Sequence, residues 1–256
     1  METTASIKEK LQAAKSYEPW MEELRADKRK SVQQLLASWN RRFDKQQSLV
    51  RQLEEKRSFD DQFKVHFSSL VAGIDEAGRG PLAGPVVTAA VILPEDCSAF
   101  LGLDDSKQIA KAKRSELAEL IKAQAVSWSV HIQPPEAIDR LNIYQATKES
   151  MEASAHALDP IPDIVLVDAM KLAIAMPTEA IIKGDAKSLS IAAASILAKT
   201  GRDDLMDEYA AIYPEYGFSK HAGYGTKEHL AALEAHGPCP IHRKTFEPVK
   251  SMPKRP

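Results

Sequence analysis

Residues Val71 to Pro94 read VAGIDEAGRGPLAGPVVTAAVILP. Leu70 to Ile74 form an apolar run that leads into two adjacent carboxylates, Asp75 and Glu76, and a glycine loop flanking Arg79 follows at once. Val86, Val87 and Ala89 to Leu93 lead away between Pro85 and Pro94. Apolar, β-branched runs bounded by proline and glycine read as strands, so the stretch predicts a hairpin-like unit with acids, a bendable backbone and a cation at its turn. Side chains alternate along a strand, so Asp75 and Glu76 would face opposite sides of a sheet under regular pleating. They can serve one site only where the strand is ending.

Outward from this unit the chain changes character. Residues 1–67 carry a net charge of +3 and residues 68–256 a net of −5. The first glycine is Gly73, and Pro19 is the one proline before Pro81, so the front quarter favours helix. Val32, Leu35, Leu36, Trp39 and Phe43 recur at helical spacing, and Leu49, Val50 and Leu53 begin a second such face. A small helical domain over residues 1–68 is expected, with its boundary near 58–69, and a second domain over 69–256. Lys28, Arg29, Lys30, Arg41, Arg42 and Lys45 make the front unit locally basic. They read either as a solvated face or as an accessory surface for a nucleic-acid backbone. Trp20 and Trp39 read as core anchors.

Behind the hairpin, helix is expected over 110–125, strand over 127–132, helix from Pro135 to about Leu158, strand over 163–167 and again over 178–182, and a long alanine-rich helix from Ser188 through Tyr209. Alternation of this kind predicts a mixed sheet with helices packed on it. Gly201 inside the long helix is expected to cost about 1 kcal/mol relative to alanine and to permit a bend.

The 256 residues are 44% hydrophobic, enough for a packed core. Cys97 and Cys239 lie far apart and give no disulfide framework. Cys239 and His242 form a lone C-x-x-H, but a zinc site takes four ligands and no second pair is visible. The run Gly80 to Pro94 is 15 residues, interrupted by Pro81 and Pro85, short of the roughly 20 that span a bilayer. METTASIKEK lacks a signal-peptide hydrophobic region, so a cytoplasmic protein without membrane partners is expected. A net charge of −2 argues against binding of nucleic acid by bulk positive charge, though not by local basic groups.

Asp168 closes the apolar run Ile164 to Val167, and Asp185 follows Ala180 to Ile182 after Lys183 and Gly184. Both occupy the same kind of position as Asp75. An acid closing a hydrophobic strand is either functional or only a cap or turn former. Gly78 to Gly84 reads G-x-G-x-x-x-G with Pro81 inside it, which is not the spacing of a dinucleotide loop.

GIDEAGRGP with VVTAAVIL resembles the signature of ribonuclease HII, the bacterial type 2 ribonuclease H. DSK at Asp105 to Lys107, LVDA at Leu166 to Ala169, KGDAKSLSIAAASILAK from Lys183 to Lys199, HAGYGT at His221 to Thr226 and PIHRKTF at Pro240 to Phe246 agree in the same order. The resemblance covers roughly residues 70–250. It implies an α/β fold, a ribonuclease H-like mixed β-sheet flanked by helices, with a helical C-terminal part and the small all-α N-terminal domain as an extension. It implies a monomeric endoribonuclease that hydrolyses the RNA strand of RNA/DNA hybrids and cuts 5′ to single ribonucleotides embedded in duplex DNA, leaving 3′-hydroxyl and 5′-phosphate ends.

By the same resemblance Asp75, Glu76, Asp168 and Asp185 are the four catalytic carboxylates. Two like charges about 4 Å apart repel by roughly 4 kcal/mol at an effective dielectric near 20, so such a cluster must bind cations, take up protons or spread. Oxygen-only ligands suit two divalent cations, Mg²⁺ or Mn²⁺. Gly78, Arg79 and Gly80 are implied to read the ribonucleotide, Tyr224 to pack on the neighbouring sugar, and Lys107 to lie near substrate phosphates. Tyr224 also reads as a turn aromatic, and Asp105 with Ser106 as a helix cap. Lys187 and Ser188 are candidate phosphate contacts at a helix start, and His221 is a candidate for proton traffic. The alternatives are a ribonuclease HIII-like hybrid nuclease, whose loop and fourth acid differ, and a non-catalytic hybrid-binding protein. Two departures stand out: Ala169 and Met170 where many relatives have glycine and asparagine, and AKTGRD at Ala198 to Asp203 in place of AKVTRD. With every core motif after residue 69, a chain starting near Ser68 is expected to fold and keep its turnover.

Overall fold

A computed structural model describes residues 2–104, 106 and 109–253. The chain packs as two compact units, Met1–Glu54 and Glu55–Pro256. In the first, α1 (Thr4–Ala13), α2 (Trp20–Arg25) and the front of α3 (Lys30–Asp61) enclose a core of Ile7, Leu11, Met21, Leu24, Val32, Leu36 and Trp39. Val32, Leu36 and Trp39 are the positions picked out by helical periodicity, and Trp39 stacks on Phe43 at 4.9 Å between centroids. Two of the six basic residues are engaged within the unit: Arg29 pairs with Asp27 at 2.6 Å, and Arg42 donates to the Leu11 carbonyl at 2.9 Å.

The second unit begins inside α3 and continues through β1 (Val71–Ala77), β2 (Val86–Ile92), α4 (Lys111–Gln124), β3 (Ser127–Gln133), α5 (Pro135–Leu141), α6 (Ile143–His156), β4 (Ile164–Asp168), β5 (Thr178–Ile181), α7 (Gly184–Lys187), α8 (Leu189–Ile212), α9 (Phe218–His221) and α10 (Lys227–His236). Among the described residues the strands form one five-stranded sheet ordered β3-β2-β1-β4-β5. β1 pairs antiparallel with β2 and parallel with β4, and β4 pairs parallel with β5. Two faces follow from the strand period. Ala72, Ile74, Val165 and Val167 pack with Met151 and Ala155 of α6, while Val71 and Leu166 pack with Ile191 of α8. A Cβ at Gly73 would lie 2.1 Å from the Ser190 backbone, so α8 rests directly on β1 there.

The expected single helix from Pro135 is two helices. Asn142 interrupts it at φ 70°, and its side chain accepts from the Gln145 N–H at 3.1 Å, capping α6. Asparagine suits both tasks, since it tolerates positive φ and caps well. α8, by contrast, runs unbroken through Gly201, where an added Cβ would meet only Val87 and Val130 at 3.9 and 4.0 Å. Gly201→Ala is therefore expected to stabilise the protein by about 1 kcal/mol, raising the melting temperature by about 2–4 °C. A melting curve unchanged or lowered would mean that the site is tighter than this geometry.

Candidate active site

Three parallel strands deliver acids to one edge. Ile74 is the last β1 residue paired with β4, opposite Val167, so Asp75 and Asp168 come next on neighbouring strands and on the α8 face. Asp168 lies opposite Ile181, the end of β5, after which the chain turns through Lys183 at φ 56° into α7 and Asp185. The carboxyl ends of parallel strands, where strand order switches, are the usual binding edge of such a sheet.

Asp75 is only 5% exposed. Its carboxylate accepts the Glu76 N–H at 2.7 Å, beyond the last rung shared with β4. Burial raises it well above the usual carboxylate range, the charges of Glu76 and Asp168 add to this, and a hydrogen bond from Ser195 on α8 pulls against it. Glu76 has the opposite parity along β1 but lies past the last rung shared with β4, near enough for its charge to act on Asp75, and it meets Arg79 at 3.3 Å. Asp168 accepts the Gly184 N–H at 2.7 Å, which ties the start of α7 to the end of β4. Asp185 accepts the N–H of Ala186 at 2.9 Å. Among the described residues no three of His, Cys, Asp or Glu already stand as a closed metal-ligand group.

The glycine loop is held by two buried arginines that sequence reasoning did not single out. Arg243, from PIHRKTF, donates to the carbonyls of Gly78, Arg79 and Gly84. Arg202, from AKTGRD, donates to the carbonyls of Pro85 and Ala83 at 3.0 and 3.1 Å. Both are fully buried. Burial, and for Arg243 the neighbouring Arg202 charge, lower them to about 10 and about 9, so both stay charged at neutral pH. Gly78 sits at φ +96° with Arg202 Nε 2.0 Å from where a Cβ would be, so no other residue fits. Because a trans peptide points its C=O and the next N–H in opposite directions, turning the Gly78 and Arg79 carbonyls onto Arg243 turns the N–H groups of Arg79 and Gly80 away from it.

Tyr224 borders this loop. A Cβ on Gly80 would lie 3.6 Å from its ring, and the residue is 48% exposed. Gly223, at φ +81°, lets the two loops touch, and its carbonyl accepts the Leu82 N–H at 2.9 Å. Other expected residues have structural tasks. His221 Nδ1 accepts the Gly223 N–H at 3.2 Å, leaving Nε2 to donate to the Tyr216 carbonyl at 2.9 Å. Both nitrogens are used, so proton traffic is not its task. Ser188 is fully buried and caps α8 through the Ile191 N–H at 3.1 Å, so it is no phosphate contact; Lys187 is exposed. His242 takes the Cys239 N–H at 2.9 Å and faces His229 at 3.0 Å, a buried hydrogen-bonded cluster. Lys107 and Asp105 lie outside the described residues. Ala169, directly after Asp168, sits at φ 48°, a left-handed conformation that costs a non-glycine residue about 1–2 kcal/mol.

The family model of ribonuclease HII matches residues 72–249, and that of the ribonuclease HII N-terminal domain matches residues 3–64. The chain belongs to the ribonuclease HII family. It is an endoribonuclease of ribonuclease H type. It is 50% identical over 250 residues to a ribonuclease HII of Bacillus licheniformis, covering 97% of this chain and 98% of that protein. One from Enterococcus faecalis is 51% identical over 228 residues, 89% of each chain. The solved ribonuclease H2 of Pyrococcus horikoshii superposes with a TM-score of 0.63 at 26% identity over 71% of this chain and 96% of that one. A ribonuclease HIII crystallised with Mn²⁺ superposes with a TM-score of 0.56 at 19% identity, over 72% of this chain and 68% of that one, a likeness of fold alone. The mixed sheet flanked by helices, with helices before and after it, is thus the expected ribonuclease H-like fold. No helix among the described residues is long and apolar enough to cross a membrane.

Proposed function

We propose that this enzyme uses divalent metal to hydrolyse the RNA strand of RNA/DNA hybrids and to cut 5′ to single ribonucleotides in duplex DNA, leaving 3′-hydroxyl and 5′-phosphate ends. One observation carries the reading. β1 and β4 reach Asp75 and Asp168 at the same edge, with Asp185 just past β5, and Asp75 is followed directly by a glycine loop whose Gly78 and Arg79 carbonyls are held by Arg243 and whose Gly80 borders Tyr224. The donor set fits a hard cation: the groups are carboxylates, and the burial and neighbouring Glu76 and Asp168 charges that raise Asp75 are what a divalent ion would offset. Asp75, Glu76, Asp168 and Asp185 would hold two Mg²⁺ or Mn²⁺ ions. When bound, such ions supply water activation and stabilisation of the leaving oxygen. The Arg79 and Gly80 N–H groups would meet the 2′-hydroxyl, which distinguishes RNA from DNA, and Tyr224 would pack on the adjoining sugar. Lys107 would add a phosphate contact. Catalysis needs these groups together, which disfavours a role in hybrid binding without turnover.

The deciding assay compares a DNA duplex with one embedded ribonucleotide, the same duplex without it, and a long hybrid, with Mg²⁺, Mn²⁺ or chelator. Cleavage of the all-DNA duplex, or turnover in chelator, would overturn the proposal. In the same assay Tyr224→Ala is expected to impair the single-ribonucleotide substrate more than the long hybrid, where neighbouring registers offer other chances. Equal losses would reduce Tyr224 to packing.

The front unit we assign as an accessory surface for the duplex backbone. With Arg29 and Arg42 engaged internally, the groups left to meet phosphate are Lys28, Lys30, Arg41 and Lys45, all exposed. Changing these four to glutamine in the full chain is expected to raise KM and to flatten the salt dependence of binding by roughly 0.9 in log–log slope for each phosphate no longer neutralised. An unchanged slope would make the face merely solvated.

A further inference from the structure

The last two turns of α3 hold the segment that carries Asp185 at both ends. Lys56 is buried, and its ammonium donates to the Asp185 carbonyl at 3.0 Å and to Asp104 Oδ1 at 2.8 Å. Asp60, one turn further along the same helix face, accepts the Ser190 N–H at 2.8 Å. Ser190 lies in the first turn of α8, whose N–H groups lack intrahelical acceptors, and a carboxylate there is favoured by the helix dipole. Phe59 and Phe63 pack against Val71, Leu166, Ile181 and Ile191, fixing these turns to the sheet beneath. The stretch from Asp185 to Ser190 comprises most of α7 and the start of α8, and its two ends are pinned by side chains four residues apart.

We infer that Lys56 and Asp60 are positioning residues for Asp185, so that the end of α3 sets the geometry at which the fourth carboxylate meets its cation. This rests on the proposed role of Asp185. Both residues lie before the motifs that carry the family resemblance, and a chain starting near Ser68 would lack them together with Phe59 and Phe63. The expectation that such a chain keeps its turnover is therefore revised.

The test uses the full chain with Lys56→Met, Asp60→Ala, Asp60→Asn and Asp185→Asn. Turnover is read beside Mn²⁺ affinity by calorimetry and the melting-temperature rise on adding Mn²⁺ without substrate. Loss of a group that orients a metal ligand costs roughly 10–100-fold in metal affinity or activity. Lys56→Met and Asp60→Ala are expected to weaken Mn²⁺ binding and lower kcat on that scale with KM nearly unchanged. Asp60→Asn keeps an oxygen for the Ser190 N–H and is expected to restore most of both. Should Lys56→Met fail to fold, the Asp60 pair decides. Folded Lys56→Met and Asp60→Ala proteins with normal Mn²⁺ affinity and kcat would overturn the inference, as would Asp60→Asn being as impaired as Asp60→Ala. If Asp185→Asn is inactive while Lys56→Met is normal, only the positioning role falls. If Asp185→Asn stays active, the role of Asp185 itself falls.

Discussion

Asp75→Asn and Asp168→Asn are each expected to remove turnover, by at least about 10²–10³-fold, the order lost when one preorganised electrostatic group is deleted from an active site. Stability should move the other way in chelator. Asp75 is held well above the usual range by burial and by the charges of Glu76 and Asp168, so the folded metal-free protein binds its proton more tightly than the unfolded chain does. The stability this contributes is fully present below the unfolded value near 4 and is lost as pH rises through the folded value. Asparagine cannot ionise. Asp75→Asn should therefore melt above the unsubstituted protein in chelator at pH 7–8, with the gap closing towards pH 4. A variant keeping a tenth or more of normal turnover would sink the assignment of the acid. A gap that does not depend on pH would sink its electrostatic explanation.

What the sequence made legible was whatever depends on neighbours along the chain. The strand-to-acid junctions at Asp75 and Asp168 were visible because an apolar run ending in a carboxylate is a local pattern, and β1 and β4 end within two residues of those acids. The split at Asn142 was present as a capping residue, but the helical pattern on both sides masked it. Arg202 and Arg243 were not legible. An arginine on a helix or in a loop reads as solvated, and what buries these two is a set of carbonyls 117 to 165 positions away. Lys56 and Asp60 were hidden for the same reason: their partners at Asp185 and Ser190 lie 129 and 130 positions on. Long-range polar satisfaction leaves no periodicity, so it emerges only with the fold.

Arg243→Met should be the most damaging change outside the acids. Its fork satisfies the carbonyls of Gly78, Arg79 and Gly84, and its guanidinium lies 5.0 Å from the Phe246 ring centroid. Each of the three buried carbonyls left without a donor costs about 1–3 kcal/mol, and removing the guanidinium relieves its repulsion with Arg202, so a net loss at the low end, about 3–5 kcal/mol, is expected. A loss of about 3–5 kcal/mol corresponds to a fall in melting temperature of about 6–20 °C for a protein of this size. Arg243→Lys should rescue little, because an ammonium has no planar fork to span three carbonyls. The functional loss should exceed the structural one. Below the melting transition, where Arg243→Met is still folded, released carbonyls no longer turn the Arg79 and Gly80 N–H groups outward, so cleavage at a single ribonucleotide should fall more steeply than cleavage of a long hybrid. A melting point within about 2 °C of normal would refute the structural argument. A folded variant that loses both substrates equally would separate the arginine's hold on the loop from recognition of the sugar, because support of the fold alone predicts equal losses and an aimed backbone predicts unequal ones.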